Sequence, residues 1–142
     1  MPLPDRIHLE VVTPEKRVVS EVVEAVTLPG SEGSLGVLPG HTPLLTSLGI
    51  GELSYLRGGT KHYVAVASGF AEVLPERVSV LAEVAERAEG IDRERAARAR
   101  DRALKRLSER RPDTDFARAQ ISLQKAIIRL QVSEGVGGSQ PS

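Results

Sequence analysis

The sequence predicts a mainly β protein with a helical appendage: an N-terminal antiparallel β-sandwich followed by a C-terminal two-helix hairpin. Three observations carry this. Residues 5 to 84 hold short β-branched runs punctuated by Gly and Pro. From Ile91 to Arg111 neither Gly nor Pro occurs, and the helix formers Ala, Arg, Glu and Leu dominate. The charge changes at the same place. Residues 1–90 carry 7 Lys+Arg against 12 Asp+Glu, and residues 91–130 carry 12 against 6, within a 142-residue chain of zero net charge. The expected division is residues 1–87 for the sandwich, 88–134 for the hairpin and 135–142 for a disordered Gly- and Ser-rich tail.

In chain order, Ile7, Leu9 and Val11 alternate with His8, Glu10 and Val12, which gives a strand with one apolar face. Val22 to Leu28 reads as one β-branched strand ending at Pro29-Gly30. Gly33 to Leu45 reads as turns, with Gly free to take positive φ and Pro fixing φ. Leu53–Arg57 and His62–Val66 flank Gly58-Gly59-Thr60, a hairpin signal. Val73-Leu74 and Val78–Leu81 flank Pro75-Glu76-Arg77, a further turn. Aromatics make up only 3% of the chain, so the core must be aliphatic. Beyond Ile91, Ala96, Ala99, Ala103 and Leu107 form one helical stripe. Pro112 ends that helix, and the Asp113-Thr114-Asp115 cluster can cap the next. There Phe116, Ala119, Leu123, Ala126 and Leu130 repeat at three and four. Alanine contacts bury little area, so the two helices should pair weakly and be able to open.

Several classes of function are disfavoured. The chain has no cysteine, hence no disulfide framework, thiolate zinc site or thiol nucleophile. No apolar run approaches a bilayer span, and the N-terminus lacks the pattern of a signal peptide, so a cytoplasmic protein is expected. His8, His41 and His62 are scattered, Ser68 lacks the Gly-x-Ser-x-Gly frame, and there is no Gly-x-x-x-x-Gly-Lys-Ser/Thr phosphate loop. No catalytic residue, no metal and no obligatory cofactor is expected.

The most distinctive stretch is Gly33-Ser34-Leu35-Gly36-Val37-Leu38-Pro39-Gly40-His41-Thr42-Pro43. It is followed by Ser68-Gly69-Phe70-Ala71-Glu72-Val73, Ala85-Glu86-Arg87-Ala88-Glu89 and Ile91-Asp92-Arg93-Glu94-Arg95-Ala96. In this order the segments resemble the epsilon subunits of bacterial F-type ATP synthases, over residues 7 to about 134. The resemblance implies a β-sandwich that docks on the gamma subunit and the membrane c-ring, with Leu38, Pro39 and His41 as rotor-contact candidates. The plainer reading of His41 is a loop histidine bonded to backbone. The resemblance also implies a helix pair that inhibits ATP hydrolysis by the alpha/beta catalytic head. Its cluster of arginines would face an acidic segment of beta, and the protein would sit peripherally on the cytoplasmic face of the bacterial cell membrane.

The same resemblance implies ATP as a regulatory ligand. Its residues would be Ile91, Asp92, Arg95 and Ala96 from the Ile-Asp-x-x-Arg-Ala motif, with Glu86, Arg102 and Arg129. The chemistry is reasonable: Asp92 and Arg95 share a helix face, a carboxylate can accept from an adenine amino group, and a guanidinium grips phosphate oxygens bidentately. The alternative makes Asp92 a first-turn residue favoured by the helix dipole and Arg95 a solvated side chain. Two positions depart from the pattern. Gly90 replaces an acidic residue, and Lys125 replaces an arginine, keeping the charge without the planar fork. A nucleic-acid module using the basic hairpin is the reading from another class. The lack of interleaved aromatics weighs against it, and no nucleic-acid partner is expected.

Overall fold

The computed structural model describes residues 4–109 and 111–137, the last two as backbone only. Seven strands precede two helices: β1 (Ile7–Val12), β2 (Arg17–Val23), β3 (Ala25–Gly30), β4 (Gly33–Val37), β5 (Leu44–Arg57), β6 (Thr60–Val73), β7 (Arg77–Arg87), a 3-10 turn (Ala88–Gly90), α1 (Arg93–Glu109) and α2 (Phe116–Gly137). The strands run in the order β2-β1-β7-β6-β5-β3-β4. All neighbours are antiparallel except β1 and β7, which pair in parallel.

The 14-residue β5 and β6 are long enough to serve both layers. One apolar cluster accordingly draws on every strand, from Ile7 and Leu9 through Val19, Leu28, Val37, Leu53 and Val66 to Val80. As the composition requires, it is aliphatic, with Tyr55 its one aromatic member. The alternation read in β1 holds: Ile7, Leu9 and Val11 are fully buried.

Two segments differ from the sequence reading. Val22 to Leu28 is not one strand but breaks at Glu24, where the chain crosses between layers. Val23 pairs with Ile7 of β1, whereas Val26 pairs with Tyr55 of β5. The corner is held by Glu24, whose N–H donates to Leu56 O (2.8 Å) and whose carboxylate accepts from Gly58 N (2.8 Å). A propensity run cannot show a partner change in its middle. The first third of the Gly33–Leu45 stretch is likewise not a turn but β4, paired with β3 at the sheet edge, where backbone bonds replace what the composition lacks.

The turns follow the sequence. Gly58 and Gly59 have φ of 58° and 78°, the geometry of a two-residue hairpin loop, with Arg57 opposite Thr60. Leu74 and Arg77 exchange backbone hydrogen bonds around Pro75-Glu76.

Both helices begin at an aspartate cap. Asp92 Oδ1 accepts from Arg95 N (3.1 Å), and Asp115 Oδ1 accepts from Arg118 N (3.0 Å). Ala96 and Ala103 of α1 and Ala119 and Ala126 of α2 are buried, so the hairpin closes through alanine. Leu107, Leu123 and Leu130 are half-buried, while Phe116 at the start of the α2 stripe is exposed. The hairpin is folded against the sandwich. Val132 and Ile128 of α2 pack on Tyr63 and Ala65 of β6, with Ala88 and Ile91 at the junction.

The segment expected to be a disordered tail from residue 135 is corrected at its start. α2 continues through Gly137, and Gly135 is buried against the Tyr63 ring. Glycine propensity argued for an end here, but the close approach needs a residue without a side chain, and packing prevails. Residues 138–142 lie outside the described residues.

Candidate functional site

The hairpin meets the sandwich at a polar cleft of about 410 Å³, lined by Glu86, Arg95, Ala99, Ser122, Lys125, Ala126 and Arg129. Three elements converge. β7 presents Glu86 near its end, α1 presents Arg95 two residues after its start, and α2 presents Lys125 and Arg129 one turn apart. Glu86 and Arg129 form a half-buried ion pair between sandwich and hairpin. Arg129 Nη2 donates to Glu86 Oε2 (3.2 Å), and Nε lies 2.8 Å from Oε1. The two contacts make a side-on pairing of the guanidinium with the carboxylate, with Nε buried against Oε1. Neither Arg95 nor Lys125 has an ion-pair partner among the described residues. Three cations thus face one carboxylate around a cleft floored by alanine and serine. Such an arrangement favours a multiply charged anion over a neutral ligand.

The structure divides the residues implied for ATP. Glu86, Arg95 and Arg129 are brought together. Asp92 lies one turn away, its Oδ1 engaged as the cap of α1. Ala96 is fully buried between the helices, and Ile91 is buried in the seam against Tyr63. Those two shape the site without lining it. Arg102 is not in this cleft. It lines a second one, of about 610 Å³, toward the hairpin turn. Sequence reasoning did not select Ser122, Ala99 or Ala126. Ser122 precedes Lys125 by three and Arg129 by seven, so helical spacing alone would have placed it on that face.

The rotor-contact candidates lie in the loop between β4 and β5. Leu38 is exposed, while Pro39 and His41 are half-buried. Gly40 N donates to Pro75 O (2.7 Å), His41 N donates to Leu38 O (3.2 Å), and a His41 ring nitrogen lies 2.6 Å from Thr42 O. His41 therefore serves the loop's own shape. Sequence reasoning missed the neighbouring apolar surface: Leu45, Phe70 and Leu81 are exposed, and Phe70 stands directly opposite Leu81. The available signal was an apolar residue at an outward position of an alternating strand.

Among the described residues no His, Cys, Asp or Glu cluster could hold a metal ion, and no helix is long and apolar enough to cross a membrane.

Comparison with known proteins accounts for both halves. Residues 6–88 match the family "ATP synthase, Delta/Epsilon chain, beta-sandwich domain", and residues 89–134 match "ATP synthase, Delta/Epsilon chain, long alpha-helix domain". The ATP synthase epsilon chain of Syntrophobacter fumaroxidans is 52% identical over 130 residues, covering 92% of this chain and 97% of that one. That of Nitratidesulfovibrio vulgaris strain DP4 is 53% identical over 126 residues, covering 89% and 94%. Among solved structures, a chain of the Euglena gracilis mitochondrial ATP synthase (OSCP/F1/c-ring) superposes with a TM-score of 0.78 at 26% identity, over 97% of this chain and 85% of that one. A chain of the Tetrahymena thermophila central stalk and c-ring gives 0.57 at 11%, which shows the shared fold alone. Matched along both its sandwich and its helices, the chain belongs to the ATP synthase delta/epsilon family, and within it to the epsilon chains.

Proposed function

We propose that this epsilon chain couples the gamma subunit to the c-ring through its sandwich and restrains ATP hydrolysis through its hairpin, with ATP favouring the compact form. The chain is a structural and regulatory component of the central stalk, not a catalytic one. Exposed Leu38, Leu45, Phe70 and Leu81 offer the sandwich an apolar docking surface for those rotor partners. Residues 91–130, with 12 basic against 6 acidic residues, suit a hairpin that extends toward an acidic segment of beta in the alpha/beta head. As part of that complex, the chain would lie peripherally on the cytoplasmic face of a bacterial membrane.

The observation that carries the switch is how little holds the hairpin down. Five buried residues (Tyr63, Ala65, Ala88, Ile91 and Val132), the half-buried Ile128, Gly135 against the Tyr63 ring and the Glu86–Arg129 pair form the seam. A seam of this size can open without unfolding the sandwich, whose core is separate. Truncation after Glu89 should leave assembly intact and raise ATPase activity of the purified complex about fivefold or more, the low end of a typical coupling energy. Unchanged hydrolysis in an assembled complex would remove the inhibitory role.

ATP enters through the cleft of Glu86, Arg95, Lys125 and Arg129. Its phosphates would supply the partners that Arg95 and Lys125 lack among the described residues. Because those groups belong to α1, α2 and the junction with β7, binding favours the compact form by its differential affinity. Calorimetry of the full chain should show saturable ATP binding, weakened about tenfold or more by Arg95→Ala through loss of a charge-assisted contact. An absence of heat at millimolar ATP would sink ATP sensing and leave the coupling role standing.

A further inference from the structure

The two clefts of the hairpin share no lining residue, but they follow one another along the same pair of helices, from Arg95 and Ala99 to Arg102 and Arg106 on α1 and from Arg129 back to Arg118 on α2. α1 places Arg95, Arg102 and Arg106 at spacings of seven and four, on one side of the helix. α2 answers with Arg118, Ser122, Lys125 and Arg129 on a single face. Arg95, Lys125 and Arg129 line the end near the sandwich, and Arg102, Arg106 and Arg118 line the end near the turn. The floor between them is small: Ala99 and Ala126 in one cleft, Ala119 in the other. From Arg95 to Arg106 this side runs about 16 Å along the helix.

Cations outnumber carboxylates along both clefts. Among the described residues Arg102, Arg106 and Arg118, like Arg95 and Lys125, have no ion-pair partner. At the turn, Glu109 serves both Lys105 (3.9 Å) and Arg111 (3.3 Å). Asp113 and Asp115 line this end as well, so five cations meet three carboxylates there, and Asp115 Oδ1 also caps α2. Arg102 and Arg106, four apart, repel each other in the empty chain. A bound anion would relieve that repulsion along the whole groove.

We infer that the groove between α1 and α2 of the compact hairpin is a binding site for a linear inorganic oligophosphate longer than the triphosphate of a nucleotide. Guanidinium forks recur along the two clefts, and bidentate pairing with non-bridging phosphate oxygens suits a ligand with oxygens at every repeat. The groove's own lining offers no aromatic side chain on which a base could stack, which disfavours single-stranded nucleic acid. A floor of alanines admits a thin chain but offers no pockets for peptide side chains. At its sandwich end the site coincides with the ATP cleft proposed above and rests on that reading there. The turn end is independent of it.

The test is calorimetry of the full-length chain at fixed salt with ATP, tripolyphosphate and a medium-chain polyphosphate. The wild type is compared with the double variant Arg106→Ala/Arg118→Ala, whose helicity is checked by circular dichroism. In the wild type, affinity should tighten about tenfold or more from tripolyphosphate to polyphosphate, the factor one further charge-assisted contact supplies. The double variant should lose that gain while keeping its affinity for tripolyphosphate. No gain with chain length in the wild type, or a gain that survives in the variant, overturns the inference. Poly-glutamate binding as tightly as polyphosphate of equal charge also overturns it, in favour of an acidic peptide. If ATP fails to bind, the nucleotide reading falls, and the chain-length gain still decides this one.

Discussion

Gly69→Ala should lower the unfolding free energy by about 3–5 kcal/mol, the range for forcing a side chain into a forbidden backbone and a filled space. Gly69 sits in β6 at φ 134°, next to Ser68 at φ 62°. Leu48 pairs with Gly69 and Ile50 with Ala67, so Gly49 and Ser68 are skipped in the ladder. One residue is skipped on each strand and the register is kept, so this is a local backbone irregularity in the middle of a long strand and not an inserted residue. A Cβ on Gly69 would fall on the Leu81 carbonyl oxygen and lie 2.8 Å from Ala82 Cα. Both are backbone atoms of β7 and cannot rotate away. Urea denaturation checks it against two controls. Gly36→Ala meets nothing within 4 Å at an ordinary φ and should be nearly neutral. Gly59→Ala has the same open space but φ of 78°, and should cost only about 1–2 kcal/mol. A Gly69→Ala cost no larger than that of Gly59→Ala would contradict the packing account.

Gly135→Val should undock the hairpin while leaving the sandwich folded. A Cβ at Gly135 would stand 3.0 Å from Tyr63 Cδ2, with further ring carbons at 3.2 and 3.3 Å. The added methyls of valine deepen that clash. The Tyr63 ring is buried between β6 and the seam and has little room to yield. Hydrogen exchange should accelerate in the last turns of α2 and around Ala88–Gly90, with strand protection unchanged. Unchanged protection in α2 would mean that Gly135 does not control docking. Alkaline pH should act on the same contact. Burial first, and the Glu52 carboxylate second, raise the Tyr63 hydroxyl above its usual pKa of 10.0. Burial under the hairpin makes the docked form hold that proton more tightly than the open form, so this contribution to docking is complete below about pH 10 and declines as pH rises through the raised value. Tyr63→Phe should remove this pH dependence.

How much was legible depends on whether the determinant is local. The Gly58-Gly59 loop could be read because two adjacent glycines at positive φ meet the requirement of a two-residue hairpin by themselves. Asp115 could be read as a cap because capping spans three residues. The break at Glu24 could not, because its cause is a carboxylate reaching Gly58 across 34 positions. Gly135 misled for the same reason: its composition says tail, and only the Tyr63 ring, 72 positions earlier, makes glycine the residue that lets α2 continue.

The candidate site shows the same division. Helical spacing puts Arg95 and Arg102 on one face of α1, and Lys125 and Arg129 on one face of α2. Which of them share a cleft depends on how the helices align and on where β7 delivers Glu86. That alignment unites Glu86, Arg95 and Arg129, sends Arg102 to the other end of the groove, and commits the Asp92 oxygen to a backbone N–H. The sequence by itself determined the class of fold, the change of character near residue 88 and the charge of the hairpin, because periodicity, propensity and composition are properties of neighbours along the chain. The tertiary structure alone decided where the strands change partners, what holds the hairpin down and which charges meet. Those depend on contacts between residues far apart in sequence, whose energies come from packing and desolvation that no local pattern encodes.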